Sequence, residues 1–272
     1  MPSSASFRKK VYGYYAKNGR NLPWRHTHDP YNIFVSEIML QQTQVDRVIP
    51  KYQEFIKKYP NFNALANAPL SDVLHLWQGL GYNRRAMALK RAAEEVVRLY
   101  SAKLPEDYTK LLNLPGVGQY TAAAVLIFAF NKGLSTIETN IRSVFIENFF
   151  NTHKRKVSDK EIAKIARKTL DKKNPRKWHW ALMDYGAALK KIGKGANDRA
   201  RSYRKQPSFK GSRRELRGKI ITQLLASKGR GKREKEIAEI IGVSQIQIST
   251  VLKTLVNEGL LKKHRNVYTI AD

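Results

Sequence analysis

Cysteine is absent from all 272 residues. Its absence excludes disulfide bonds, thiol nucleophiles, thiolate zinc sites and iron–sulfur clusters held by cysteine. The six histidines are scattered, and the nearby pair His26 and His28 makes no convincing metal site. We therefore expect neither a cofactor nor a bound metal.

Acidic residues and long apolar runs are also scarce. Asp and Glu number 22 against 51 Lys and Arg, which leaves a formal net charge of +29 and predicts a polyanionic partner. No apolar run approaches the ~18 residues of a membrane-spanning helix, and the start MPSSASFRKK lacks the apolar stretch of a signal peptide. Nucleic acid is thus favoured over a membrane surface, in the cytoplasm or, in a prokaryote, at the nucleoid.

The apolar residues that are present recur at helical spacing, as in Val35, Ile38, Met39 and Val45. At 42% hydrophobic residues, a chain of this length buries one large core or two moderate ones, so two or three domains are expected. With Gly, Pro and Asn turns as boundaries, the predicted helices are roughly 5–17, 31–58, 62–67, 70–77, 83–100, 105–112, 118–131, 139–150, 158–170 and 176–190.

The C-terminal part of the chain differs in composition. Residues 190–235 contain 17 Lys or Arg against 3 Asp or Glu, which predicts a basic, DNA-tracking linker over 191–212, although a solvated tail has the same composition. Residues 213–272 then follow the order helix, short helix, turn IGVS, helix and two short strands. This order resembles a winged helix-turn-helix, whose second motif helix enters the DNA major groove. That helix would present to DNA the side chains of Gln245, Gln247, Ser249, Thr250 and Lys253.

LPGVGQYTAAAVLIFAF at 114–130 is the strongest motif. Its two glycines permit a tight turn, and the helix that follows begins with free backbone N–H groups near Gly116, Gly118 and Gln119. These donors and the positive end of the helix dipole form a phosphate site that reads no base identity. The spacing alone also fits a plain turn between helices, but an acidic residue 20 positions after Gly118, in IETN, makes the pattern more specific.

This constellation resembles the helix-hairpin-helix (HhH-GPD) DNA glycosylase superfamily. Over about residues 7–190 the chain resembles its MutY-type adenine glycosylase branch, through LPWR at 22–25, DPYNIFVSEIMLQQTQV at 29–45, LWQGLGYNRRA at 76–86 and ALMDYGA at 181–187. The resemblance implies an all-α, two-lobed fold over 1–190. A helical barrel at about 26–130 would hold the hairpin, and the N-terminal helix with 131–190 would form the second lobe. The winged helix at 213–272 would follow this fold.

The resemblance implies that carboxyl groups perform the chemistry. Release of a base leaves positive charge on the sugar and negative charge on the base, and two carboxyl groups can divide that work. Glu37 lies in FVSEIML, where burial would raise its pKa and hold a proton for the base, unless it is an exposed helix glutamate. Glu138 stands where the superfamily has aspartate and would stabilise the sugar cation, unless it only starts a helix. Asn140 matches a position that supports this carboxylate, and Asp184 is a further acid for which a structural role is favoured.

Tyr120 decides the reaction type. Glycosylases that also cut the strand place a lysine at this position, because an amine forms a Schiff base with the sugar. Tyrosine cannot do so, and water is therefore the predicted nucleophile. The enzyme would be monofunctional, without lyase activity, and an abasic site would be its product. A tyrosine packed beside the hairpin is compatible with this role.

The target base must rotate out of the duplex before it is cleaved. By the resemblance, Gln42 and Tyr82 wedge into the base stack, and Gln41 shares the helix face of Glu37. A polar helix residue and a core tyrosine are the respective alternatives for the first two. The positions around the adenine pocket are matched by Arg20, Leu22, Trp24, Arg25 and Leu40, of which Trp24 and Leu40 equally suit a core.

Three departures from the family pattern bear on specificity. Trp180 stands where adenine glycosylases commonly have an acid that contacts the base. Lys190 stands where the first cysteine of the family's iron–sulfur cluster would be. The winged helix replaces the domain that reads 8-oxoguanine in adenine glycosylases. We expect a monomer that binds double-stranded DNA containing a mismatch or lesion. Adenine opposite guanine or 8-oxoguanine is the favoured target. Thymine, uracil or another damaged base is the first alternative, and a non-catalytic DNA-binding protein is the second.

Overall fold

The computed structural model describes residues 2–151 and 155–272. They form mostly helices, with one small sheet near the C-terminus, so the predicted fold class is confirmed. The helices are α1 (Ser4–Asn18), α2 (Pro30–Leu40), α3 (Val45–Lys58), α4 (Phe62–Ala66), α5 (Leu70–Trp77), α6 (Arg84–Tyr100), α7 (Tyr108–Leu112), α8 (Gln119–Phe128), α9 (Thr139–Phe149), α10 (Asp159–Thr169), α11 (Pro175–Lys191), α12 (Arg213–Ala226), α13 (Glu234–Ile241) and α14 (Gln245–Asn257). The strands are β1 (Lys232–Arg233), β2 (Leu261–His264) and β3 (Val267–Ile270).

Most predicted helices are present, with ends displaced by at most three residues. The exception is the single helix predicted over 31–58, which is two helices, α2 and α3. Gln42 lies between them with a φ of +56°, a left-handed conformation that a right-handed helix does not accept. Apolar periodicity continues through both helices, so it did not reveal the break.

The chain divides into two compact units. The first contains residues 1–33, 106–113 and 117–205, and the second contains 34–105, 114–116 and 206–272. The division falls within α2, after Ile33. Residues 26–33, 106–113 and 117–130 of the predicted barrel fall in the first unit, and the C-terminal module shares the second unit with 34–105.

Aromatic packing forms the core of the first unit. The Phe7 ring on α1 meets the rings of Phe149 and Trp178 edge-on, with centroids 4.8 and 5.8 Å apart. On α11, Gly186 permits a close approach to α9: a Cβ there would lie 2.6 Å from the carbonyl carbon of Asn140. Only glycine therefore fits this crossing.

Part of the predicted linker packs into the first unit. Ala196 and Ala200 are buried, and Ala200 forms a parallel bridge with Val157. The backbone N–H of Val157 donates to Arg199 O over 2.9 Å, and that of Arg201 donates to Val157 O over 2.9 Å. The basic composition of 191–212 therefore coexists with ordered backbone contacts up to about residue 201.

The C-terminal module has winged-helix topology. Its sheet order is β1-β3-β2, with both pairings antiparallel, and α13, a turn and α14 make the helix-turn-helix. Gly242 ends α13 with a φ of +73°, and the Ser244 hydroxyl caps α14. The buried residues Ile220, Ile248 and Leu252 belong to its core.

This module is attached to the preceding helices of the second unit. The Asp272 carboxylate accepts the Ser71 N–H at the start of α5 over 2.7 Å, and Glu258 is ion-paired with both Arg84 and Arg217. The guanidinium of Arg91 lies against Gly259, where a Cβ would be 2.6 Å from it. No helix in the described ranges is both long and apolar enough to cross a membrane.

Candidate active site and DNA-binding surfaces

Glu138 lies at the start of α9 in the first unit and acts as its N-cap. One carboxylate oxygen accepts the Ile141 N–H over 2.8 Å, and the other accepts Asn140 Nδ2–H over 3.2 Å. The extra methylene of glutamate relative to aspartate is thus accommodated by folding the side chain back onto its own helix. The capping role and a charge-stabilising role use the same carboxylate, so they do not exclude each other.

The surroundings of the Glu138 carboxyl shift its pKa. Burial raises its pKa above the ordinary value of 4.5, and hydrogen bonds from Asn140 and Ile141, with the charges of Arg142 and Arg20, act in the opposite direction. Burial has the larger effect. The two N–H donors hold the carboxylate in position. A group that stabilises a developing positive charge must be held in place in this way.

Asp184 is held as a structural ion. Its carboxylate, 3% exposed as a residue, accepts two hydrogen bonds from Arg25 at 2.8 Å and two from Arg20, through its backbone N–H at 2.8 Å and Nε at 2.6 Å. Burial acts to raise the pKa of Asp184, but the Arg25 and Arg20 contacts outweigh it and leave the pKa below the usual value. Arg20 and Arg25, predicted beside the base, are both engaged with this carboxylate.

An aromatic surface lies beside this ion pair. The Trp180 ring stacks on Phe128 with centroids 6.2 Å apart and planes 10° apart, and the Arg25 guanidinium lies 5.5 Å from the Trp180 centroid. Tyr120 packs partly buried against the same cluster, which includes Phe128. Leu22 and Trp24 are buried at 5% exposure each, whereas Leu40, in the second unit, is partly exposed.

The loop before Glu138 is held by a histidine that the sequence reasoning did not single out. The Thr136 N–H donates to His179 Nε2 over 3.4 Å, and Nδ1–H of the same ring donates to the Pro175 carbonyl over 2.7 Å. Only a neutral imidazole can make both contacts. Burial lowers the pKa of His179 from 6.5 to about 4.

We expect His179 to make folding stability depend on pH. Its folded pKa is below its unfolded value, so its contribution is complete above pH 6.5 and is lost as the pH falls towards 4, by up to about 3 kcal/mol. His179→Gln should be less stable than wild type at pH 7, and the difference should shrink at pH 4.5. Urea unfolding of both proteins at the two pH values measures this. A difference that stays constant with pH would show that His179 is not held neutral.

Glu37 occupies the buried helix α2 in the second unit. It is 6% exposed, and its neighbours Val35, Ile38 and Met39 are more completely buried, as its apolar sequence context predicts. The alternative of an exposed helix glutamate therefore does not hold. Gln41 follows the end of α2 and donates its side-chain N–H to Gly116 O over 3.2 Å, which connects this helix to the hairpin turn.

The hairpin has the geometry that its glycines predict. Gly116 has a φ of +78°, and a Cβ there would lie 2.8 Å from the Ala88 Cβ. Gly118 is the N-cap of α8, and no side chain caps that end. Gln119 begins the helix and is exposed, and the phosphate site at this helix start stays a prediction.

Arg85 organises the turn after α2, and its role was not predicted. Its Nη1 donates to the carbonyls of Ile38 and Met39 at 2.9 and 2.8 Å, and its Nη2 donates to Thr43 Oγ1 at 2.8 Å. Nη2 also reaches the carbonyls of Leu80 and Gly81. Burial lowers the pKa of Arg85 to about 10. One guanidinium thus binds carbonyls of the last turn of α2 and joins this turn to residues 80–81.

Replacing Arg85 should be strongly destabilising. Arg85→Met keeps side-chain length but leaves several carbonyls without a donor, so we expect the free energy of unfolding to fall by about 3–5 kcal/mol. The neighbouring Arg84 is a matched control, because its side chain is 69% exposed and lies 3.8 Å from Glu258. Arg84→Met should cost less than about 1 kcal/mol. Equal losses in chemical denaturation would contradict the organising role of Arg85.

Tyr82 is partly buried and is bound by the start of the C-terminal segment. Its hydroxyl accepts from Arg214 Nη1 over 2.5 Å and also from the Gln206 amide, and its φ is +50°. The guanidinium groups of Arg85 and Arg214 lie 5.6 and 5.4 Å from its ring centroid. Tyr82 is predicted to wedge into the base stack. The ring and hydroxyl that would do so are the groups that contact Arg85, Arg214 and Gln206.

The predicted DNA-reading side chains of α14 are mostly on its surface. Gln245, Gln247, Thr250 and Lys253 are exposed and Ser249 is partly exposed. The Gln247 side chain also accepts from Ser244 to complete a capping box. Ile246 has 84% of its surface exposed on the same helix. Across the described ranges, no group of three or more His, Asp or Glu is arranged to hold a metal ion.

Comparison with known proteins establishes the family. Residues 35–172 match the HhH-GPD superfamily of base excision DNA repair proteins, and the chain belongs to this superfamily, as its motifs predicted. The matched range includes Glu37, the hairpin and Glu138.

Two adenine DNA glycosylases are among the similar proteins. The one from Buchnera aphidicola subsp. Baizongia pistaciae is 37% identical over 188 residues, which is 67% of this chain and 52% of that protein. The one from Mycobacterium tuberculosis is 41% identical over 132 residues, which is 48% of this chain and 43% of that protein. The chain spans about half the length of the curated relatives that it matches.

A thermostable thymine-DNA glycosylase is similar in structure. It superposes with a TM-score of 0.62 and 29% identity, over 74% of this chain and 95% of that one. The resemblance to MutY-type adenine glycosylases is therefore confirmed at the level of sequence, and the glycosylase fold at the level of structure.

Proposed function

We propose that the protein is a monofunctional DNA glycosylase that removes adenine mispaired with guanine or 8-oxoguanine in double-stranded DNA. The observation that carries the proposal is the Glu138 carboxylate, fixed by Asn140 and the Ile141 N–H in a chain 37% identical to an adenine glycosylase. Its geometry suits stabilisation of a cationic sugar. The choice of adenine as the target base is supported by the similarity to adenine DNA glycosylases.

The proposal assigns one role to each side chain. Glu37 donates a proton to a ring nitrogen of the departing base, so that the bond from C1′ to the base breaks with its electrons leaving on a neutral base. Glu138 stabilises the positive charge on the sugar, and water adds at C1′ and loses a proton. Tyr120 has no amine, which supports hydrolysis without a Schiff base. The product is an abasic site in an intact strand.

A second candidate is release of thymine or uracil from mismatches with guanine. It is favoured by the similarity to the thymine-DNA glycosylase, over 95% of that chain. Trp180 is compatible with it, since a ring stacks on any base but accepts no hydrogen bond from the adenine amino group.

Single-turnover cleavage across a panel of duplexes tests the proposal. Duplexes with A·G, A·8-oxoguanine, T·G, U·G and A·T pairs are incubated with excess enzyme, and alkali then reveals abasic sites. We expect cleavage of the adenine strand in the first two, and breaks that appear only after alkali. Preferred cleavage of T·G or U·G would establish the second candidate. Failure on every duplex would favour a non-catalytic DNA-binding protein, and breaks without alkali would contradict monofunctional chemistry.

A further inference from the structure

In the winged helix, the sheet and the loop before it carry more net positive charge than the helix-turn-helix. Residues 228–233 contain four Lys or Arg and no acid, and residues 261–270 contain three Lys or Arg, one His and no acid. The helix-turn-helix over 234–257 has two lysines against three glutamates. The helix expected to read the major groove therefore carries little of the charge that attracts DNA.

The strand register places these basic residues together. Arg233 on β1 and His264 on β2 are both paired with Val267 on the central strand β3, so the three side chains form one row across the sheet. Lys262 is two residues before His264 and therefore lies on the same face of β2. Arg233, His264 and Lys262 are all exposed. This face of the sheet is cationic.

The turn between β2 and β3 extends the cationic surface. Arg265 and Asn266 are its two central residues, with φ values of +44° and +65°, as in a two-residue hairpin of type I′. A positive φ is strained for arginine, and this side chain is exposed rather than packed in the core. The turn holds a fixed cation at the tip of the wing.

Nearby acids are engaged within the module. The Glu236 carboxylate accepts the Arg233 backbone N–H over 3.0 Å, and the Glu234 carboxylate accepts the Tyr268 hydroxyl over 3.3 Å. Neither contact uses the guanidinium of Arg233. The Lys262 ammonium donates to the main-chain oxygen of Asp272, whereas Arg233 keeps its charge available to an external anion.

We propose that the β1-β3-β2 face and the turn at Arg265 form a second DNA-binding surface, which holds duplex phosphates without reading sequence. The surface binds the backbone through Arg233, Arg265 and Arg230, an exposed residue two positions before β1, and α14 contributes little. This inference concerns binding outside base release and does not depend on which base the enzyme removes. It replaces the expectation that α14 dominates DNA binding by this module.

Binding of the full chain to undamaged duplexes of two unrelated sequences, at several salt concentrations, tests the surface. The variant Arg230→Gln/Arg233→Gln/Arg265→Gln should lose affinity on the order of 10–100-fold near physiological salt, equally on both duplexes. The slope of log affinity against log salt should fall by about 2–3, since each phosphate contact contributes about 0.9. Thermal melting should be close to wild type, because the three side chains are exposed.

Two further variants make the result specific. Arg230→Lys/Arg233→Lys/Arg265→Lys keeps the charge and should bind within about threefold of wild type, whereas Gln245→Ala/Thr250→Ala/Lys253→Ala removes exposed groups of α14 and should do the same. A larger loss in the α14 variant, a loss confined to one DNA sequence, or wild-type binding by the glutamine variant would overturn the proposal. Loss of binding to anionic phospholipid vesicles with unchanged duplex binding would overturn it in favour of a membrane surface.

Discussion

Glu37→Gln is expected to lower the single-turnover rate of base release by ~10²–10⁴ while DNA affinity stays within a fewfold of wild type. Glutamine has nearly the shape of glutamate but has no acidic proton to give to the departing base. Glu37 is 6% exposed within α2, so water replaces the missing proton donor poorly. Rates with saturating enzyme on the preferred duplex of the panel, together with binding to the same duplex, make the measurement.

An exposed glutamate provides the matched control for Glu37. Glu239 lies on the surface of α13, and Glu239→Gln makes the same substitution at a site outside α2. It should cleave at the wild-type rate. Should Glu37→Gln also cleave like wild type, the proton-donor assignment is wrong. Melting temperatures of both variants distinguish a loss of chemistry from a loss of fold.

Glu138→Gln is expected to lose two to three decades of the same rate. The amide keeps the size of the side chain and one oxygen that accepts the Ile141 N–H, but it has no charge to oppose the sugar cation. Loss of electrostatic stabilisation of this kind costs about 3–4 kcal/mol in the barrier. Glu138→Asp should be more active than Glu138→Gln and at or below wild type, because it keeps the charge in surroundings arranged for the longer residue.

The pH dependence gives an independent measure of Glu138. The ionised form is the active one in this assignment, and burial raises its pKa, so activity should fall with decreasing pH at a value above 4.5. This acid limb should be absent from the residual activity of Glu138→Gln. Full activity of that variant, or an unchanged acid limb, would contradict the assignment.

The variant Asp184→Asn distinguishes a structural role of Asp184 from a catalytic role. Asp184 pairs with Arg20 and Arg25 in a buried site, so its loss leaves two arginines without their carboxylate and should cost about 3–5 kcal/mol of folding stability. Glu138→Gln should change stability much less, since its cap oxygen remains. A stable Asp184→Asn with no activity would instead make Asp184 a candidate catalytic acid.

Local features were predictable because neighbouring residues determine them. The hairpin turn follows from Gly116 and Gly118, and the burial of Glu37 follows from the apolar residues beside it in α2. The helix that α9 forms after Glu138 was also predicted, because an acid followed by amphipathic spacing marks a helix start. In each case the deciding interactions lie within about one helical turn of the residue concerned.

Features made by residues distant in the sequence were not predictable in this way. The break after Leu40 depends on Arg85, which takes carbonyls of Ile38 and Met39 across more than forty positions. The low pKa of Asp184 depends on Arg20 and Arg25, and the low pKa of His179 depends on its burial. No periodic pattern in the sequence links Asp184 to the two arginines. Trp180 departs from the family pattern in the sequence, but its stacking on Phe128 is set by the tertiary fold.

The sequence by itself determined the helical class, the phosphate hairpin, the winged-helix order and the chemical types available at Glu37, Glu138 and Tyr120, because periodicity, glycine placement and side-chain chemistry are local properties. Tertiary structure alone decided which carboxylates are ion-paired, where α2 ends and which face of the winged helix is cationic. The strand register that aligns Arg233 with His264 joins positions 31 residues apart. The number of charged residues and the motifs can be read from the sequence, whereas ion pairs and strand pairs between distant residues form only when the chain folds.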